Sequence, residues 1–217
     1  MKDFTYDQEL LRKLQLSELD MLVELDKLCR ENNIKYIIDA GTLLGAVRHG
    51  GFIPWDDDID IRMLREDYDK FCEVCKIQLD EKFFLQTYKT DPGYRWGYAR
   101  ILKNGTEYRR ANHDEIKSRN GIFIDVFPND NLPESGLGNK LCTSLSWLCR
   151  KALYSEVGRN QAQKPINRVG FRILDLFPKK WAHNTLEFLV HSFGEDYMTP
   201  PPESERIPRH LATYIKF

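Results

Sequence analysis

The stretch from Asp39 to Ile61, DAGTLLGAVRHGGFIPWDDDIDI, limits the fold and chemistry of this 217-residue chain more than any other part of it. It places four acids within five positions, beside apolar neighbours: Asp56, Asp57, Asp58 and Asp60. Four negative charges held this close repel one another, and apolar surroundings make it harder to keep them charged. A cation shared by the acids would resolve this conflict.

The last two acids of the stretch are spaced for a strand. Residues i and i+2 of a strand point to the same side, so Asp58 and Asp60 would face one ion while Ile59 and Ile61 face the core. Carboxylate oxygens suit Mg²⁺ or Mn²⁺, which usually complete their shell with water and substrate phosphate. The spacing therefore predicts a Mg²⁺ or Mn²⁺ site at Asp58 and Asp60, with Asp56 as a further ligand or a residue that orients one.

The small-residue turn at the start of the same stretch predicts a phosphate site. Glycine allows backbone N–H groups to approach an anion closely, and a helix that starts near Thr42 would direct its positive end at that anion. We therefore expect Gly41 and Thr42 to bind phosphate.

A second acidic position lies in the apolar segment GIFIDVFP, residues 121–128. Burying Asp125 among these residues is unfavourable unless it has a partner. Taken alone, the segment fits an aspartate that caps the turn before Pro128. Together with the first stretch, it fits a third carboxylate on the same ion.

A phosphate-binding turn followed by metal carboxylates resembles the nucleotidyltransferase fold, whose signature is a Gly-Ser/Thr turn and an Asp-x-Asp strand. The longer strings GTLLGAVRHGGFIPWDDDIDI and GIFIDVFPND resemble the LicD family, whose known members transfer phosphocholine or related phospho-alcohols from CDP-linked donors onto glycans. A second patch of resemblance covers residues 193–210. The chain departs from the family pattern at Leu64, where proline is usual, at Ala40, where glycine is common, and in a shortened region before Phe193.

The resemblance implies an α+β, nucleotidyltransferase-like fold in which helices cover a mixed central sheet. We expect one domain over residues 1–217, with a core at about 5–130 and a helical C-terminal elaboration at about 137–217. Apolar spacing predicts helices at 5–32, 65–82, 137–154, 169–177 and 181–193, and strands at 34–38, 83–88 and 94–102.

For the site, the resemblance implies that Asp58, Asp60 and Asp125 are catalytic and hold the ion, and that Asp125 accepts the proton of the attacking glycan hydroxyl. Five residues are candidates for binding the donor: Gly41, Thr42, Arg48, Arg100 and Lys103. Arg48 fits either a bidentate phosphate clamp or a surface salt bridge. Arg100 and Lys103 fit the same role or ordinary solvated charges. An aromatic cage for a choline-type head group would come from Trp96, Tyr94, Tyr98 and Tyr108.

Composition narrows the class of protein and its compartment. The net charge of -1 gives no electrostatic argument for a nucleic-acid partner. The N-terminal residues carry no signal-peptide pattern, and no apolar run approaches the roughly 20 residues of a membrane span. Five cysteines without such a signal suggest free thiols. These features predict a cytoplasmic protein, and amphipathic C-terminal helices leave open a contact with the inner face of the membrane.

The resemblance to the LicD family implies metal-dependent transfer of phosphocholine or a related phospho-alcohol from a CDP-choline or CDP-polyol donor. The acceptor would be a hydroxyl of a cell-surface glycan, such as a lipopolysaccharide, teichoic acid or capsule precursor, and it could be lipid-linked. Two alternatives stay open at this point. One is a nucleotidyltransferase that acts on a small molecule or sugar; the other is a non-catalytic module that binds nucleotide or glycan.

Overall fold

The computed structural model of the chain describes residues 8–108, 117–130 and 136–192. The strands of this part are β1 (Ile37–Ile38), β2 (Ile59–Leu64), β3 (Phe83–Gln86), β4 (Ala99–Lys103) and β5 (Phe123–Asn129). Its helices are α1 (Gln8–Glu31), α2 (Ala40–His49), α3 (Arg65–Gln78), α4 (Gly136–Leu153), α5 (Ser155–Gln161), α6 (Pro165–Asp175) and α7 (Lys179–Ser192).

The five strands form one mixed sheet in the order β1-β2-β5-β4-β3. Strands β2 and β5 run parallel, whereas the other neighbouring pairs are antiparallel. A parallel neighbour requires a long connection, and here the chain between β2 and β5 contains α3, β3 and β4. This architecture confirms the predicted α+β class with a mixed sheet covered by helices.

The two faces of the sheet differ in character because side chains alternate along each strand. On one face, Ile59 and Ile61 of β2 join Ile124 of β5 in the main core, which α1 and α3 cover. On the other face lie Asp60 of β2 and Asp125 of β5. Asp60 and Asp125 therefore share the face of the sheet that lies opposite α1.

Helix α1 forms over most of the predicted range because five of its eight leucines fall on one side. Leu11, Leu14, Leu22, Leu25 and Leu28 are all buried. Burial of each such side chain stabilises the fold by about 1.5–3 kcal/mol. The helix therefore packs on the apolar face of the sheet and covers it.

A close backbone approach at Gly45 shapes the loop that leads to the acids. Gly51 N donates to Gly45 O at 3.3 Å as the chain turns back from α2. A Cβ at Gly45 would lie 2.5 Å from Gly51 O and 2.8 Å from Ile53 N. Only glycine allows the loop to pass this near, and the loop then continues through Asp56 into β2.

The C-terminal region contains four helices in the described part of the chain, where three were predicted. The additional helix is α5, and α6 begins at Pro165 rather than at residue 169. Helices α4 and α7 share a small core of Cys149, Leu153 and Ala182. The predicted family patch at 193–210 lies outside the described residues. Within residues 8–108, 117–130 and 136–192, no helix has both the length and the apolarity to span a bilayer.

Replacing Gly45 with alanine should destabilise the protein by about 1–3 kcal/mol, because the added methyl overlaps backbone atoms that cannot rotate away. Urea unfolding followed by circular dichroism measures this. Gly136→Ala is the matched control, since a Cβ there meets nothing within 4 Å. Equal stability of the two variants would show that the close approach is unimportant.

Candidate active site

Asp60 and Asp125 lie side by side on the two parallel strands at the centre of the sheet. Strand register pairs Asp60 with Asp125 and, on the far side, Asp125 with Arg100. Neighbouring strands are about 4.8 Å apart, so the three side chains form one row across the polar face. The structure thus brings together two of the three predicted catalytic carboxylates.

Arg100 binds both oxygens of Asp125. Its Nε lies 2.6 Å from Oδ1 and a terminal nitrogen lies 3.2 Å from Oδ2. The guanidinium also sits 4.0 Å from the centroid of the Phe123 ring. Burial, the largest single effect, lowers the pKa of Arg100, but the charge and hydrogen bond of Asp125, together with Tyr94 and Tyr98, raise it above its ordinary value. In this structure Arg100 contacts a carboxylate of the site, and its role towards the donor remains a prediction.

The backbone of Asp60 is held by the beginning of α2. Asp39 N donates to Asp60 O at 2.9 Å, and Asp60 N donates to the hydroxyl of Thr42 at 2.9 Å. Helix α2 starts at Ala40, two residues before the predicted position. Ala40 has a φ of 47°, a left-handed conformation that glycine adopts without steric cost. This φ gives a physical reason for glycine at the corresponding family position.

Gly41 lies against the first acid of the cluster. A Cβ built at Gly41 would fall 2.5 Å from Oδ2 of Asp56. The absence of a side chain at Gly41 therefore leaves space for that carboxylate beside the N-terminal turn of α2. Gly41 and Thr42, predicted as a phosphate site, each contact an acidic residue of the site.

Three carboxylates in sequence have the spacing of a metal site. One oxygen from each of Asp56, Asp57 and Asp58 lies within 4.8 Å of the others. Asp57, which was not among the predicted ligands, accepts a hydrogen bond from Tyr108 OH at 2.6 Å. Burial and the charge of Asp57 raise the pKa of Asp56. The candidate ligand set therefore contains one more acid than the sequence indicated.

Asp60 experiences the largest electrostatic conflict in this group. Burial, followed by the charges of Asp58, Asp125, Asp39 and Asp56, raises the pKa of Asp60 to about 7. Such a shift means that the site holds more negative charge than its surroundings stabilise. The donor set, which consists of oxygens only and carries excess negative charge, fits a hard divalent cation.

Two predicted cationic residues are not brought to the carboxylates. Lys103 is three residues from Arg100 on β4, so it points to the opposite face, where Nζ lies 2.8 Å from Ser17 Oγ of α1. Arg48 lies exposed in the last turn of α2. Of the three predicted cations, only Arg100 contacts a carboxylate of the row.

The ion pair between Arg62 and Asp39, which lies near the site, was not predicted from the sequence. Arg62 Nε donates to Asp39 Oδ2 at 2.6 Å, and Arg62 lies two residues after Asp60 on the same face of β2. The strand alternation that singled out Asp58 and Asp60 extends to Arg62, so this signal was present in the sequence. Arg62 also lies 5.8 Å from the centroid of the Phe127 ring.

A cavity of about 1190 Å³ begins two residues further along β2 and β5 from Asp60 and Asp125. Arg62 and Phe127, each two residues after Asp60 and Asp125, line its near end. Aromatic side chains from the segment before β4, from α4 and from the turn after α4 also line it: Trp96, Tyr98, Trp147 and Tyr154. Of the predicted aromatic cage, Trp96 and Tyr98 thus face the cavity. Tyr94 is buried, and Tyr108 contacts Asp57.

Comparisons with known proteins cover most of the chain. Residues 33–184 match the family model described as "LicD/FKTN/FKRP, nucleotidyltransferase domain". The chain is 27% identical to the lipopolysaccharide cholinephosphotransferase LicD of Haemophilus influenzae, over 93% of this chain and 96% of the relative. That alignment spans 260 positions, more than this chain possesses, so the relative has additional residues within the matched region.

Two shorter matches involve proteins of other organisms. An uncharacterised protein of Rickettsia prowazekii is 53% identical over 25% of this chain and 21% of its own length. The human ribitol 5-phosphate transferase FKRP is 50% identical over 16% of this chain and 7% of its own length. The family match covers more than half of the chain and, with the Haemophilus relative, confirms the predicted fold and phosphotransferase class. The chain therefore belongs to the LicD/FKTN/FKRP family of nucleotidyltransferase domains.

Proposed function

We propose that this protein transfers phosphocholine or a related phospho-alcohol from a CDP-linked donor to a hydroxyl of a cell-surface glycan, with Mg²⁺ or Mn²⁺ bound. The acceptor would be a precursor of lipopolysaccharide, teichoic acid or capsule. The observation that carries the proposal is the row formed by Asp60 and Asp125, next to the Asp56–Asp58 cluster. The names of the relatives, a cholinephosphotransferase and a ribitol 5-phosphate transferase, support the same reaction class.

The carboxylates supply the ion site. Asp58 and Asp60 would hold the ion, as predicted, with Asp56, Asp57 and Asp125 as neighbouring oxygen donors. When bound, a divalent cation would neutralise phosphate charge and help to orient the donor diphosphate. Because Arg100 donates to both oxygens of Asp125, it holds this carboxylate in one orientation.

The transfer itself needs one bond made and one broken. The acceptor hydroxyl oxygen forms a bond to the phosphorus that carries the alcohol, the bond from that phosphorus to the bridging oxygen breaks, and CMP leaves. A carboxylate has about four acceptor positions, so Asp125 keeps capacity for the hydroxyl proton beside its two bonds from Arg100. Gly41 and Thr42 lie at the N-terminus of α2, which would favour donor phosphate.

The cavity offers a place for the substrates. Its near end begins at Arg62 and Phe127, two residues from Asp60 and Asp125, and its aromatic walls suit a sugar ring or a quaternary ammonium group. Tyr98 and Phe127 have ring centroids 4.5 Å apart at that near end, and Trp96 and Tyr154 lie 6.2 Å apart. These rings would bind the alcohol or the acceptor, while the carboxylates would hold the ion that binds the donor phosphates.

A donor screen tests the proposal. The protein is incubated with Mg²⁺, a glycan acceptor extract and CDP-choline, CDP-ribitol, CDP-glycerol or nucleoside triphosphates. We expect CMP release that depends on the acceptor with one of the CDP donors. Release of pyrophosphate from a nucleoside triphosphate would instead identify a nucleotidyltransferase, and binding of donors without turnover would identify a binding module.

Replacing Asp60 with asparagine should reduce transfer by about a hundredfold or more, because an ion ligand is lost while the shape of the residue is kept. In the absence of metal, the same substitution should stabilise the folded protein at high pH. The pKa of Asp60 is raised from 3.8 to about 7 in the folded protein, so the wild type loses stability as the pH rises through this window. At pH 8 the variant should therefore be more stable than the wild type by on the order of 2 kcal/mol.

Urea unfolding at pH 4 and pH 8, with and without Mg²⁺, measures the change in stability, and CMP release measures the rate of transfer. Saturating Mg²⁺ should stabilise the wild type and leave the variant nearly unchanged. Asp20→Asn, which removes one negative charge from an exposed position of α1, is the matched control. Wild-type turnover in Asp60→Asn, or equal stabilisation of both proteins by Mg²⁺, would contradict the ion site.

Replacing Gly41 with alanine should separate activity from stability. The methyl displaces the Asp56 carboxylate, the movable end of a side chain, while alanine favours the helix. We expect an unfolding free energy within about 1 kcal/mol of the wild type and a rate of transfer lower by about tenfold to a hundredfold. Gly136→Ala should leave both quantities unchanged; a fully active Gly41→Ala would exclude Asp56 from the site.

A further inference from the structure

Helix α6 and the two residues after it expose a continuous apolar surface, which we call the α6 face. Its residues recur at three- and four-residue spacing along one side of the helix. They are Ile166, Val169, Ile173, Leu176 and Phe177, with exposed fractions of 73%, 50%, 57%, 82% and 42%. No residue of α6 is buried. An amphipathic helix normally turns such a side towards the core, so its exposure requires an explanation.

The opposite side of α6 is attached to the protein. The Phe171 ring packs so closely on Gly158 of α5 that a Cβ there would lie 2.5 Å from it. Asp175 accepts hydrogen bonds from Ser155 Oγ and Lys179 Nζ, both at 2.8 Å. These contacts fix the orientation of the helix, so its apolar side points outward because the fold holds it there.

Positive charge surrounds the α6 face. Residues 164–181 contain five basic residues and one acid; the bases are Lys164, Arg168, Arg172, Lys179 and Lys180. The whole chain, by contrast, has a net charge of -1. The single acid, Asp175, is paired with Lys179 at 2.8 Å on the attached side of the helix, so Lys164, Arg168, Arg172 and Lys180 supply the excess positive charge. Trp181 is 44% exposed and stands 5.9 Å from Phe177, which adds a second aromatic ring at this surface.

We propose that the α6 face is a docking site for the surface of an anionic lipid bilayer. Exposed aliphatic side chains, flanking bases and adjacent aromatic rings are the features of helices that lie in a membrane interface, where the apolar side enters by about 5–10 Å. The local excess of positive charge selects anionic lipid over an uncharged surface. This inference rests on α6 and its flanks alone and is independent of the proposed transfer reaction.

Vesicle co-sedimentation with the full chain tests the docking. We expect binding to vesicles of phosphatidylcholine mixed with phosphatidylglycerol, weaker binding to phosphatidylcholine alone, and a decrease as salt is added. The double variant Ile173→Gln with Leu176→Gln should lower partitioning by about tenfold or more, since the apolar area that enters the bilayer is lost. Arg172→Gln and Lys180→Gln should each lower it by about fivefold.

The matched control is Ile77→Gln, which replaces an equally apolar residue that is 84% exposed on α3, away from the α6 face. It should bind vesicles as the wild type does, and circular dichroism should show that every variant is folded. Failure of the wild type to bind anionic vesicles would overturn the proposal, as expected if another part of the chain covers the face. Sedimentation equilibrium that shows a dimer, dissociated by the Ile173/Leu176 variant and indifferent to vesicles, would assign the face to a second copy instead.

Discussion

Repulsion among carboxylates on one face of the sheet is the constraint on which the rest of the site depends. Two unit charges on neighbouring strands, about 5 Å apart, repel each other by about 3 kcal/mol at an effective dielectric constant of 20. Arg100 offsets the charge of Asp125, and Arg62 offsets that of Asp39. Burial and then the charges of Asp58 and Asp125 still raise the pKa of Asp60, so these two pairs do not balance the whole group. The remaining negative charge is what the proposed divalent cation would neutralise.

Much of this site could be predicted from the sequence because the patterns that indicate it are local. Alternation along β2 placed Asp60 opposite the core, and apolar flanks marked Asp125 as an acid in need of a partner. The same alternation separates Arg100 from Lys103, which are three residues apart on β4 and so lie on opposite faces. Grouping these two residues as donor ligands overlooked that rule.

Other features depend on register and could not be predicted from a local pattern. The contact of Arg100 with Asp125 requires the alignment of β4 with β5, across the long connection that joins them. The predicted strand at 94–102 was too long at its start, because aromatic residues outside the sheet resemble strand residues in composition. Amphipathic spacing predicted a helix near α6 but does not indicate whether its apolar side packs or stays exposed. That outcome depends on Phe171 and Asp175, which attach the opposite side to α5.

The position of the cavity has a consequence for how this family could diversify. The carboxylates are carried by β2 and β5, whereas much of the cavity wall comes from α4 and α7. The cavity starts two residues along the strands from Asp60 and Asp125, at Arg62 and Phe127. Under the proposed function, substitutions in the helices would alter which molecule is accepted while Asp60 and Asp125 keep their places. Substrate preference and chemistry can change separately in such an arrangement.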